Sequence, residues 1–163
     1  MHPESSGRAP AETRWLNPAQ QRAWRSLMDG HQRLMTALNR QLQHDSDLTI
    51  AEYRILVLLS EAPDRSLRMS ELADGVLSSR SRLTHQIRRL EAQHLVRRNT
   101  CLEDGRGVLA ELTDEGMRRL ESAAPGHVDA VRGNFIDLLT PAQLEVIADV
   151  FGRIDEAIGH RDG

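Results

Sequence analysis

Ser79-Arg80-Ser81-Arg82-Leu83-Thr84-His85-Gln86-Ile87-Arg88-Arg89-Leu90 is the stretch on which the fold turns. Leu83, Ile87 and Leu90 recur at helical spacing on one face, and Ser79 stands where an N-cap belongs. The opposite face carries Ser81, Thr84, His85 and Arg88, flanked by Arg80, Arg82 and Arg89. Just upstream a shorter helix is expected, capped by Ser70 and packed through Leu72, Ala73, Val76 and Leu77. Gly75 lies inside it or at its end, at some cost in helix propensity. Two short helices parted only by a break at Ser78-Ser79 suggest a helix-turn-helix.

The segment that follows sharpens this reading. Val96 to Leu102 reads as extended, Glu103-Asp104-Gly105-Arg106-Gly107 as a turn, and Val108 to Leu112 as a returning strand. Asp-Gly between β-prone runs is a hairpin signal. A hairpin directly after a helix-turn-helix is a wing. On the other side, Leu67-Arg68-Met69 allows a brief strand. Before it, Thr49 and Glu52 form a capping box for a helix whose Tyr53, Ile55, Leu56, Val57, Leu58 and Leu59 are apolar nearly all round. That pattern marks a central buried helix, broken at Glu61-Ala62-Pro63-Asp64.

Helices extend towards both chain ends. Asn17-Pro18 with Gln20 announces a long helix ending near His44–Ser46, with a stripe of Trp24, Leu27, Met28, Leu34, Met35, Leu38 and Leu42. At 1.5 Å per residue it reaches about 40 Å, more than one small core can cover. After the wing, Thr113 caps a helix opening on Asp114 and Glu115, which Pro125-Gly126 is expected to kink or interrupt. Val128, Val131, Phe135, Ile136 and Leu139 resume the pattern. Thr140-Pro141-Ala142-Gln143 opens a last helix carrying Leu144, Ile147, Val150, Phe151, Ile154 and Ile158. Apolar helices at both ends call for a second copy of the chain, and a two-fold dimer is the commonest way to cover them. The expected fold class is mainly α with a small β-hairpin wing. Residues 1–16 are expected as a disordered lead-in, 17–47 and 114–163 as a helical dimerisation region, and 48–113 as a winged helix-turn-helix domain.

Charge distribution says what the middle segment faces. The chain of 163 residues has net charge −3 and no Lys, yet seven Arg stand between residues 80 and 106 against Glu91, Glu103 and Asp104. A basic segment in an acidic body is the asymmetry of a nucleic-acid reader, and guanidinium groups suit phosphate and guanine. No Gly-rich phosphate loop, nucleophile elbow or metal-ligand pair is present, so no enzyme, cofactor or metal is expected. The seven histidines lack ligand spacing. A lone cysteine, Cys101, suits a reducing cytoplasm; it reads as a plain strand residue, with a redox-sensing role as the alternative. No apolar run approaches the ~18 residues of a membrane span, and the chain start lacks the apolar centre of a secretory signal.

The chain resembles the multiple-antibiotic-resistance regulator (MarR) family. The resemblance is carried by Met69-Ser70-Glu71-Leu72-Ala73, by Ser81 to Glu91, by His94-Leu95-Val96-Arg97-Arg98, by Asp104-Gly105-Arg106-Gly107 and by Leu112-Thr113-Asp114-Glu115-Gly116. The family's usual Gly before the Leu-Val that enters the wing is His94 here. The resemblance implies a triangular homodimer that straddles a pseudo-palindromic site in double-stranded DNA, often a repressor released by a small aromatic or phenolic effector. Ser81, Thr84, His85 and Arg88 are then the expected base-edge readers, with Arg88 the candidate for a guanine. Arg80, Arg82 and Arg89 are expected at phosphates, and Ser70, Ser79 and Arg98 complete the candidate DNA surface. The resemblance places Arg106 in the minor groove, braced by Asp104. It also places an effector pocket where the first long helix meets the reader domain, for which Trp24, Met28 and His31 share a face. The rival reading is a helical interaction protein whose winged domain binds protein instead of DNA.

Overall fold

A computed structural model describes residues 13–99 and 107–159 in full and Thr100 as strand backbone. The chain divides into two compact units, Met1–Arg33 and Leu34–Gly163. Asp104 and Arg106 of the expected wing tip, and Cys101, lie outside the described residues. So do residues 1–12 of the expected lead-in and 160–163 of the expected dimerisation region.

Helix α1 runs Pro18–Ser46 and opens on a reciprocal cap. The Asn17 amide donates to Gln20 Oε1 and the Gln20 amide to Asn17 Oδ1, each at 2.9 Å. Helix α2 (Ile50–Glu61) opens the same way: the Thr49 amide donates to Glu52 Oε2 at 2.8 Å, and the Glu52 amide to Thr49 Oγ1 at 3.1 Å. A 3-10 turn at Pro63–Arg65 leads into strand β1 (Ser66–Arg68) and helix α3 (Met69–Gly75). The expected cap at Ser70 is displaced. Arg68 is the N-cap, its amide donating to Glu71 at 3.1 Å, and Ser70 sits in the first turn. The β1 strand delivers an extended residue at position 68, so the helix can start two residues earlier than a Ser cap would set it.

Helix α4 (Arg80–Ala92) follows after four residues, capped by Ser79, whose hydroxyl accepts from the Arg82 amide. Strands β2 (Val96–Thr100) and β3 (Val108–Leu112) then pair antiparallel, with Val96 opposite Leu112 and Arg98 opposite Ala110. β3 also takes β1 on its other edge, Leu67 opposite Ala110, giving a three-stranded sheet in the order β1-β3-β2. One core gathers Ile55, Leu56 and Leu59 of α2, Leu72 of α3, Leu83, Ile87 and Leu90 of α4, and Ala110 and Leu112 of β3. Each fully buried Leu or Ile contributes roughly 1.5–3 kcal/mol, so this cluster is the main source of the domain's cohesion.

Both helices of the reader end in left-handed turns without glycine. In α3, the Ser78 amide donates to Ala73 O and the Leu77 amide to Asp74 O, with Leu77 at φ 51°. In α4, the Leu95 amide donates to Leu90 O and the His94 amide to Glu91 O, with His94 at φ 59°. These are Schellman closures, in which the left-handed residue normally is Gly. The family's Gly at position 94 therefore has a conformational reason, and His94 meets the same geometry under strain. His94→Gly is expected to raise stability by about 0.5–1 kcal/mol, read as a higher urea midpoint. A midpoint that falls contradicts this reading.

Helix α5 runs Asp114–Asn134, with Thr113 Oγ1 accepting from the Gly116 amide at 3.0 Å. Pro125 does not interrupt it, contrary to the sequence expectation. The one helical acceptor that Pro125 leaves unbonded belongs to exposed Glu121, while Gly116, Leu120 and Ala123 hold the buried face. Packing of that face outweighs a single lost bond. A 3-10 turn at Ile136–Leu138 precedes helix α6 (Pro141–Gly159), where Thr140 and Gln143 exchange the expected capping bonds. α6 has no buried residue; Val146, Val150, Phe151, Ile154 and Ile158 are exposed. Among the described residues no helix is long and apolar enough to cross a membrane.

Candidate nucleic-acid interface

Helix α4 is amphipathic, and its two faces have opposite chemistry. Leu83, Ile87 and Leu90 point into the core, while Arg80, Ser81, Arg82, His85 and Arg88 are exposed. Thr84 is half-buried and its hydroxyl donates to Arg80 O at 2.8 Å, so its proton is committed to its own helix. That leaves Ser81, His85 and Arg88 as the outward side chains that the sequence assigned to bases.

The basic residues fall into two groups that sequence could not separate. The Arg80, Arg82 and Arg88 guanidinium groups have no carboxylate partner among the described residues. Arg89, Arg97 and Arg98 are all paired. Arg97 binds Glu111, with Nε at 2.9 Å, and Asn99 donates to the same carboxylate. Arg98 binds Glu91 through its amide at 3.2 Å and its Nε at 3.0 Å, tying β2 to the end of α4. Arg89 places Nε 3.0 Å from Glu52 Oε1 on α2, although 47% of its side chain stays exposed. The Glu111 carboxyl is held below its ordinary range by the hydrogen bond from Arg97, and the guanidinium is raised correspondingly.

The anchoring contacts concentrate on the C-terminal half of α4. Beyond Glu52–Arg89 and Glu91–Arg98, Arg119 of α5 donates to Gln93 at the C-cap (3.3 Å) and to Ser46 O at the end of α1 (2.8 Å). Arg80 and Arg82 stand in the N-terminal half with no carboxylate partner among the described residues, while Arg88 lies in the anchored half beside Arg89. A recognition helix that enters a groove by its N-terminal residues needs this division: an anchored rear and a free front.

Around that front lies a cleft of about 470 Å³, lined by Arg68, Met69, Ser70, Arg80, Leu83, Thr84, Arg98, Gly107 and Val108. It brings together Ser70, Arg80, Thr84 and Arg98, four residues that the sequence assigned separately to one surface. Ser70 and Arg80 both line this cleft, which borders the first turn of α4, where unbonded amides favour an anion. Ser79 Oγ accepts from the Arg82 amide as the cap of α4, and its own proton stays available to donate. Sequence reading did not select Arg68; its place on the cleft follows only from β1 adding to the wing sheet. Trp24, Met28 and His31 are exposed on α1.

A family model described as the MarR family matches residues 48–108, from two residues before α2 to the first residue of β3. Among solved structures, Sco3205 of Streptomyces coelicolor, a MarR family transcriptional regulator in complex with DNA, is 44% identical. It aligns over 89% of this chain and 91% of its own, with a TM-score of 0.87. AbsC, a MarR family regulator of the same organism, is 42% identical over 91% of this chain and 99% of its own, with a TM-score of 0.86. The transcriptional repressor YetL of Bacillus subtilis is 31% identical, covering 72% of this chain and 74% of the repressor.

Proposed function

The chain belongs to the MarR family, and from that membership we propose that it is a transcriptional regulator that reads double-stranded DNA as a homodimer. The observation that carries the reading on this chain is the separation of charges on α4. Among the described residues Arg80, Arg82 and Arg88 face outward with no carboxylate partner, on a helix whose C-terminal half is anchored by ion pairs. A solvated structural helix has no need of such a division, because stray cations on it would be matched by nearby carboxylates. A duplex supplies the missing anions as phosphates and guanine edges.

In this reading Arg80 and Arg82 meet phosphates, with Ser70 and the α4 amides beside the cleft. Ser81, His85 and Arg88 face the base edges of the major groove. Arg106 enters the minor groove from the wing, with Asp104 bracing it. The dimer is formed by 17–47 and 114–163, whose exposed apolar residues include Trp24, Leu27 and Met28 on α1 and Phe151 and Ile154 on α6. Residues 48–113 form the DNA-reading domain. A regulator of this kind acts on DNA in the cytoplasm and needs no catalytic group. A small aromatic or phenolic effector would act through the α1 face of Trp24, Met28 and His31.

Arg88 gives the direct test. Arg88→Ala is expected to relax preference at one position of each half-site, costing about 1–3 kcal/mol against the preferred base. Binding-site selection with wild type and variant measures it. Uniform weakening on every sequence, with the preference profile intact, would place Arg88 on the phosphate backbone instead.

A further inference from the structure

Among the described residues Glu52 is the one buried charged side chain: it is 1% exposed, in the first turn of α2. A carboxylate removed from water must be paired and hydrogen-bonded, or it destabilises the state that holds it. Here one oxygen, Oε2, accepts from the Thr49 amide at 2.8 Å. The other, Oε1, is ion-paired with Arg89, whose Nε lies 3.0 Å away. The capping bond needs only one oxygen, and a Gln would serve it equally well. The second oxygen is therefore committed to α4.

Arg89 is adjacent to Arg88, about 100° around the helix, and one turn beyond His85. The buried Leu83, Ile87 and Leu90 set the rotation of α4 about its axis, and the Arg89 pair with α2 trims it, and with it the direction in which Arg88 and His85 leave the helix. The same α2 N-terminus is tied to α1, since Asn39 Oδ1 accepts from the Ile50 amide at 3.0 Å. The pair thus refers the reading face to the corner between α1 and α2, beside the Glu91–Arg98 pair that ties α4 to β2.

We infer that Glu52, a residue that cannot reach DNA, is a determinant of operator discrimination, acting through Arg89 as a positioning residue. Arg89 is then not a phosphate contact, despite lying among the basic residues of the recognition helix. The inference rests on the reading of α4 as the DNA-recognition helix.

The test uses the full-length dimer, a fluorescent operator duplex obtained by binding-site selection with wild type, and a random duplex of equal length. Glu52→Gln keeps the size of the side chain and the bond to Thr49 but turns an uncharged amide towards Arg89. It is expected to lower the operator-to-random affinity ratio at least tenfold and to broaden preference at several positions of the half-site. The dependence of log affinity on log salt should keep its slope, because no phosphate contact is lost. Arg89→Ala is expected to do the same, and Arg89→Lys to recover most of the ratio. If Glu52→Gln fails to fold by circular dichroism, Glu52→Gln/Arg89→Met, which leaves no buried charge unpaired, carries the same readout. An unchanged ratio in the folded variant overturns the inference. So does an Arg89→Ala slope shallower by about one per half-site with operator and random DNA weakened alike, since that is the signature of a phosphate contact. A wild type with no operator preference at all would instead remove the DNA reading itself, and the inference with it.

Discussion

Gly116→Ala is expected to lower the stability of the winged domain by about 3 kcal/mol or more, and its melting temperature by roughly 10 °C. Gly116 occupies the first turn of α5, where the chain leaves β3 and crosses the end of α4. A Cβ at this position would overlap the Leu95 carbonyl oxygen and would lie 2.6 Å from Leu112 Cδ1. A flexible side chain could yield; this backbone cannot do so without breaking other contacts. Leu95 O accepts from the Thr113 amide and hydroxyl, each at 3.1 Å, while the Leu95 amide closes the C-terminus of α4 on Leu90 O. Moving the carbonyl therefore loosens the cap of α5, the exit of α4 and the entry to β2 together. Ordinary overpacking in a core costs about 1–3 kcal/mol, and a clash with fixed backbone exceeds it. Thermal unfolding followed by circular dichroism measures the loss. A variant that melts within a degree or two of wild type would show that the junction is looser than described.

Phe151→Glu with Ile154→Glu is expected to leave folded monomers whose operator affinity is at least a hundredfold weaker. Ile147, Val150, Phe151, Ile154 and Ile158 lie at helical spacing on α6, and four of the five are exposed in the single chain. Large contiguous apolar surface of this kind marks an interaction site, and the second copy proposed above is its occupant. Two carboxylates in that interface would be desolvated without partners. The core of the winged domain contains no residue of α6, so the variant should retain its fold. Linking two reading heads raises avidity by roughly 10²–10⁴, and losing the link forfeits that gain. Light scattering gives the mass, and anisotropy on the same samples gives the affinity. A variant that remains dimeric and binds normally would remove α6 from the interface.

What was legible in the sequence was what is local. The caps at Asn17, Thr49, Ser79, Thr113 and Thr140 were readable because each bond spans three residues, and the five lie where the pattern placed them. The wing strands Val96–Thr100 and Val108–Leu112 were readable from the β-prone runs on either side of Asp104-Gly105. The inner face of α4 followed from its helical period, and the MarR-family resemblance agrees with the comparisons. The misses are non-local. The ion pair of Arg89 could not be read from sequence, because α2 brings Glu52, 37 residues earlier, within 3.0 Å of it, while half of the Arg89 side chain stays exposed. Ser70 looked like a cap because nothing in the sequence showed that β1 would already extend Arg68. Pro125 was expected to kink or interrupt α5 because propensity carries no record of the buried face that keeps the helix together. Gly116 was noted as part of a motif, but its reason is a carbonyl 21 positions earlier.

The central claim is that the outward arginines of α4, unpaired among the described residues, exist to meet DNA. Its most direct measurement is a salt titration of the full-length protein on the duplex beside its own gene, against a random duplex of the same length. Arg80, Arg82 and Arg88 in each of two protomers, with about 0.9 counterion released per phosphate neutralised, set an upper slope on the order of −5 in log affinity against log salt. Contacts made by Arg88 to bases in place of phosphates reduce it towards about −3 to −4. The account predicts a slope in that range with a clear preference for the gene's own duplex. A slope near zero, or equal affinity for both duplexes at every salt concentration, would contradict it.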